Sequence, residues 1–166
     1  MEVLRDPNKY SQVKVLSNPL KTITCKHQFT HEDTRKDCKI FPELLDLSCG
    51  VWQVAVQSVL IVNKTKRFTN TPLNTIFDIK TNLTSSYKQV EGSAVAVDET
   101  LCTFPVLLKK QFDFVFFDPP IKIFFTVNNR PTDTFRIYFF VNELLKTPST
   151  IYEFDVQLRL LFQRML

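Results

Sequence analysis

Four residues with soft donor atoms, Cys25, His27, His31 and Cys38, fall within fourteen positions of the chain. Thiolate and imidazole groups in two close pairs are what a structural zinc ion binds, so this is the first chemistry to weigh. Cys25 and His27 stand two apart and on a strand would share one face. His31 and Cys38 are too loosely spaced to return a matching pair, and the segment HQFTHEDTRKDCK reads as a polar loop over the surface, with no metal bound. Cys49 and Cys102 sit beside apolar residues and read as small core fillers in a reducing compartment.

Catalysis finds no better footing. A cupin-type metal centre draws several histidines and a glutamate from facing strands, whereas the only 2 histidines here lie in that one polar segment. Ser58 lies inside an alternating run, not on a glycine-flanked nucleophile turn. Asp113 and Asp118 resemble an acid–base couple in residue type alone, since each flanks a turn and reads as solvated. No enzyme, catalytic residue or cofactor is expected. The N-terminal MEVLRDPNKY has no apolar core for a signal peptide, so Asn63-Lys64-Thr65 and Asn82-Leu83-Thr84 read as turn and strand-end residues, not glycosylation sites. The net charge of +4 is spread along the chain apart from Lys64 to Arg67 and Lys109-Lys110, which indicates nucleic-acid contact only weakly. No segment approaches the roughly 20 consecutive apolar residues of a membrane helix.

The elements that carry these residues follow from composition and period. A chain of 166 residues with 44% hydrophobic content suffices for one packed domain. Its 16 phenylalanines against 2 glycines suit pleated, half-buried surfaces and favour an all-β fold. Residues 1–21, with Pro7 and Pro19, read as an N-terminal arm, and residues 22–166 as a single domain. Strands are expected at Thr22 to Thr30, Thr75 to Thr81 and Ser93 to Val97. Val51 to Val62 should form a long one, with Trp52, Val54, Val56, Ser58, Leu60 and Val62 on one face. In the C-terminal half Phe112, Phe114 and Phe116 share a face, and Pro119-Pro120 breaks the ladder into a corner. Beyond it, alternation places Ile121, Ile123 and Phe125 inside, then Phe135, Ile137, Phe139 and Val141, then Tyr152, Phe154, Val156, Leu158, Leu160 and Phe162. Roughly eight short-spaced strands without intervening helices predict an eight-stranded antiparallel sandwich, a single jelly roll.

On that assignment Phe117, Phe124, Tyr138 and Phe140 point away from the core. Outward aromatics call for cover by a partner, so these four are the candidate subunit-interface residues. A slip of one residue at a bulge would exchange the faces.

The segment LLDLSCGVWQVAVQSVLI resembles the corresponding stretch of small single jelly-roll capsid proteins, the penton or minor capsid proteins of Polinton, adintovirus and virophage type elements. The matching residues are Leu45, Leu47, Gly50, Trp52, Val54, Ala55 and Val56. The Pro119-Pro120 corner and the strands at Ile121 to Val127, Phe135 to Val141 and Tyr152 to Phe162 are similar too. The resemblance implies a structural protein of the virion: a homo-oligomer, as a pentamer, at the vertices of an icosahedral shell beside a larger major capsid protein. The alternative is a binding module, either a trimeric cytokine-like or a lectin-like jelly roll.

Overall fold

The computed structural model describes residues 20–30, 32–41, 44–66, 73–108, 110–143 and 152–165. These form nine strands and, among the described residues, no helix. The strands are β1 (Leu20–Thr30), β2 (Arg35–Lys39), β3 (Val51–Asn63), β4 (Leu73–Val90), β5 (Ser93–Leu108), β6 (Phe114–Phe117), β7 (Phe125–Thr126), β8 (Thr134–Glu143) and β9 (Glu153–Met165). Residues 1–19 of the expected arm lie outside the described residues, and Leu20 and Lys21 already belong to β1.

Every ladder is antiparallel. One sheet has the order β1-β9-β3-β6, with β7 also on β3, and the other has the order β2-β8-β4-β5. Taken together, β6 and β7 are one strand interrupted at the Pro-Pro corner, because both pair with β3. With that merger eight strand positions remain. Successive strands then switch sheets except at the β4–β5 hairpin, which is the wrapping of a jelly-roll sandwich. The hairpin closes through Glu91 and Gly92, both at positive φ (50° and 82°), the backbone a two-residue turn needs to match strand twist.

Between the sheets the phenylalanines form a continuous row. Phe29 of β1 lies 5.1 Å from Phe139 of β8, which stacks at 5.0 Å on Phe77 of β4. Phe77 contacts Phe104 of β5 at 5.7 Å, and Phe104 stacks on Phe117 of β6 at 4.5 Å. Phe154 of β9 meets Phe77 edge-on at 5.2 Å. The row thus starts on one edge of the first sheet, crosses the second, and returns to the opposite edge of the first. Each such pair adds about 0.5–1.5 kcal/mol beyond the burial of its area.

The segment before β3 plugs one end of this core. Leu45, Leu47 and Trp52 are buried, and Trp52 Nε1 donates to the Cys49 carbonyl at 3.0 Å. Gly50 is required by its φ of 85°, and a Cβ there would also displace the Arg164 guanidinium, whose Nε it would meet at 2.5 Å.

Several expectations need correction. The polar segment after His27 is not a surface loop, because Arg35–Lys39 pairs with β8 and buries Cys38. Cys49 is exposed, not a core filler. β4 runs past the expected end at Thr81 to Val90, and β5 starts at Ser93 as expected but continues past Val97 to Leu108, so the hairpin is longer than alternation alone marked. The most consequential correction concerns β3. A bulge between Val56 and Ser58 shifts its phase, so Val59, Ile61 and Asn63 are buried while Leu60 and Val62 turn outward. In an antiparallel ladder opposed residues share a face, so the shift passes to β6. Phe117 and Val115, opposite Val59 and Ile61, pack against the core, and Phe114 and Phe116, opposite Val62 and Leu60, face out. Past the corner Ile121 and Ile123 are also outside, while Phe125 packs against the core and Val127 is buried.

Phe77→Ala should lower unfolding free energy by about 3–5 kcal/mol, since the row would lose its central ring and leave a cavity. Urea denaturation followed by Trp52 fluorescence checks this.

Candidate functional site

The site grows from the bulge. On its β6 side β3 pairs with β6 through Val59–Val62 and with β7 through Gln53–Val54, and the intervening stretch is left by the corner that Pro119 and Pro120 force outward. Lys122 from that corner donates to the Gln57 carbonyl at 2.6 Å and to Asp118 Oδ1 at 2.5 Å. A lysine therefore supplies the hydrogen bond that the ladder cannot, and Asp118 holds it.

A second clamp fixes the start of β6. Asn63, buried at the end of β3, donates from Nδ2 to the Lys110 carbonyl at 2.9 Å, and its backbone exchanges bonds with Phe112 and Asp113 at 2.7 and 2.8 Å. The Asp113 carboxylate accepts from Lys110 N at 2.9 Å. This turn places Phe112 at a φ of 67°, a left-handed backbone that an aromatic residue adopts only under constraint. Its ring is presented to solvent with Lys64 Nζ 5.0 Å from the centroid.

The result is an apolar face along the β6 edge. Phe112, Phe114 and Phe116 are 61%, 70% and 60% exposed, Ile121 and Ile123 are 76% and 65% exposed, and Leu60 and Val62 lie half-buried beside Phe116 and Phe114. The same outer surface is polar one strand over, where Asp155, Gln157 and Arg159 of β9 face out, and polar again on β1 at Thr22, Thr24 and Lys26. Ile121 and Ile123 also line a cleft of about 250 Å³ between the corner and the β5 edge, with Val56, Leu101 and Phe117 at its base. The register of β5 slips at Leu101, so each sheet carries an irregularity beside this opening. Cys102 at its wall has its thiol pushed up to about 11, first by burial and then by Asp78, which keeps it protonated and unreactive.

The four residues assigned outward from sequence occupy different settings. Phe117 is turned inward onto Phe104. Phe124 is half-buried in the corner. Tyr138 and Phe140 do lie on the outer face of the second sheet, stacked with ring centroids 6.0 Å apart. Their own chain supplies cover there: Arg136 lies 5.9 Å from the Tyr138 centroid and Lys80 lies 5.6 Å from that of Phe140. The residues that sequence reasoning placed inside, Phe114, Phe116, Ile121 and Ile123, form the exposed face instead. The signal for it was Val59-Leu60-Ile61-Val62, four apolar residues in succession, which means apolar character on both faces of β3.

The other chemistry-bearing residues have structural settings. Asp113 and Asp118 serve the turn and the corner separately, as described above. Both glycosylation patterns are internal: Asn63 and Thr65 are buried, with Thr65 Oγ1 bonded to the Glu153 backbone, and Asn82 accepts from Arg136 N at 2.8 Å. Of the four candidate metal ligands, His31 lies outside the described residues, Cys25 and His27 lie on β1, and Cys38 on β2 brings its Sγ to 3.6 Å from His27 Nε2. No group of three ligands suited to a metal ion occurs among the described residues.

Fold and site together define a jelly-roll sandwich with an apolar edge face. No protein-family model matches the chain, and no curated protein matches it. A solved structure of the infectious bursal disease virus Gx strain superposes with a TM-score of 0.41 at 12% identity, over 89% of this chain. The chain spans about a third of that chain's length, 33%.

Phe112→Gly should leave stability within about 1 kcal/mol of the parent, because relief of the left-handed backbone offsets the lost ring contact with Lys64. Chemical denaturation of the variant beside Phe77→Ala measures the contrast.

Proposed function

We propose that this chain is a structural, self-assembling shell subunit of the viral capsid type, in which the β6 edge face is covered by a neighbouring copy. The observation that carries the reading is the exposed row Phe112, Phe114 and Phe116 beside Ile121 and Ile123, clamped in place by a strained turn and a proline corner. Side chains of this kind each contribute on the order of 2 kcal/mol when buried, so the five together match the lower estimates of the cost of association. A monomer would have little reason to maintain a left-handed phenylalanine in order to expose it to water.

The finer reading follows the sequence resemblance. The subunit forms a closed ring, a pentamer, at the vertices of an icosahedral shell and meets a larger major capsid protein there. Phe124, Tyr138 and Phe140 are further candidate contacts on the corner and on the second sheet. The site of action is the virion, and the modest positive charge leaves room for a secondary contact with nucleic acid. No catalytic step is part of the role. The trimeric, cytokine-like alternative also covers outward aromatics with copies of itself and is separated by oligomer number.

The double variant Phe114→Ser/Phe116→Ser tests this. Both rings are exposed in the subunit, so thermal unfolding should stay within a few degrees of the parent's subunit transition while the assembled species is lost. Light scattering coupled to size exclusion reads the mass. A trimer in the parent would favour the binding-module alternative, and an unchanged oligomer in the double variant would remove the β6 face from the interface.

A further inference from the structure

The cluster that metal chemistry does not claim carries a different reading, one independent of the assembly proposal. Cys25 lies on β1, an edge strand of the first sheet, and Cys38 lies on β2, an edge strand of the second. Both are buried and face the space between the sheets. In the middle of a sandwich the facing sheets stand about 10 Å apart, too far for two cysteines to bond. Here the two strands are consecutive, and their Cα atoms approach to within 8 Å. Cys38 Sγ lies 3.6 Å from His27 Nε2, and Cys25, two residues before His27 and so on the same face of β1, is the neighbour that most raises the pKa of the Cys38 thiol. The remaining two cysteines stand apart from this group, Cys49 exposed beside Arg164 and Cys102 at the cleft on the β5 edge.

We infer that Cys25 and Cys38 are an oxidation site that closes into a disulfide between the two sheets when the protein meets hydrogen peroxide. Peroxide is the oxidant because it is small enough to reach the thiols of residues that are only 6% and 3% exposed. His27 is the proton acceptor. Burial and then Lys36 lower its pKa, against a weaker opposing effect of Asp37, so its imidazole is neutral at pH 7. The Cys38 thiol is itself held protonated by its contact with Cys25 and by burial, which makes proton removal the step that needs help.

The chemistry balances without any further reagent. His27 Nε2 takes the Cys38 thiol proton, and the thiolate sulfur attacks one peroxide oxygen. The O–O bond breaks to leave Cys38 as a sulfenic acid, and the departing hydroxide takes the proton from His27 as water. The Cys25 sulfur then displaces the sulfenic hydroxyl, forming the S–S bond and breaking the S–O bond, and its proton leaves with that hydroxide as a second water. Two thiols are oxidised and one peroxide is reduced to two waters. The bond staples the first strand of one sheet to the first strand of the other, across a chain segment of a dozen or so residues.

The test uses the full chain, reduced, freed of reductant, and exposed to millimolar hydrogen peroxide before maleimide labelling under denaturing conditions. Two adducts where the reduced protein takes four, a mass lower by two hydrogens before labelling, and a proteolytic peptide pair joined through Cys25 and Cys38 are expected. The melting temperature should rise by about 5–10 °C. Cys25→Ser and Cys38→Ser should each abolish the rise, and the wild-type adduct count and linked peptide decide the matter even if a variant folds poorly. His27→Gln should slow closure by about tenfold or more while leaving the reduced protein's melting temperature unchanged. Four adducts after peroxide, oxygen adducts on Cys25 or Cys38 without a linked peptide, or linkage through Cys49 or Cys102 instead would each overturn the proposal. Equal rates in His27→Gln and the parent would overturn the role of His27.

Discussion

Phe77 touches Phe139 and Phe104 within its own sheet and Phe154 across the gap, and through them the row reaches Phe29 on one edge and Phe117 on the other. This aromatic row spaces the two sheets and closes both open sides of the sandwich, so the remaining features are positioned relative to it. The last contact, Phe104 on Phe117, has a particular consequence. To deliver Phe117 into the core from a strand that pairs with β3, the ladder must place Phe116 and Phe114 on the opposite face. The exposed face is thus the geometric counterpart of the way the core is closed.

The bulge at Val56/Ser58 is what allows both halves of β3 to be satisfied. Its first half directs Trp52, Val54 and Val56 inward, and its second directs Val59 and Ile61 inward. Strict alternation over the same thirteen residues would have put Leu60 and Val62 inside as well. Pro119 and Pro120 take the partner strand away from the irregular stretch, and Lys122 meets the Gln57 carbonyl left there. Residue choices in β3 and in the corner therefore answer one another across some sixty positions of sequence, and the cleft beneath Ile121 and Ile123 is the space that this arrangement leaves.

Much of the fold was legible because β8 and β9 obey a clean two-residue period. Phe135, Ile137 and Phe139, and the series Tyr152 to Phe162, are buried as alternation predicts. The jelly-roll class followed from such strands and from turn residues between them. What alternation could not convey was phase after an inserted residue, since a bulge changes no residue type and leaves the period intact on either side. That one slip moved Phe114 and Phe116 from the expected core to the surface and Phe117 the other way. β2 was hidden for another reason. RKDCK carries a single buried residue, Cys38, and a strand of five with charged neighbours gives hydrophobic period almost nothing to register. The outward Tyr138 and Phe140 were placed on the correct face, but sequence did not reveal that Arg136 and Lys80 would lie across them.

An edge strand with exposed phenylalanines is a hazard in a dilute monomer, because it invites pairing with any other chain. The proposed shell role would turn the same surface to use, and the clamps at Asn63, Asp113 and Lys122 hold that surface in one geometry. The most direct measurement is the native mass of the purified wild-type chain as a function of concentration, by mass photometry and sedimentation. The account predicts a discrete closed oligomer that forms as concentration rises, with the subunit mass recovered on dilution. A folded monomer that persists undiminished at every concentration would contradict it.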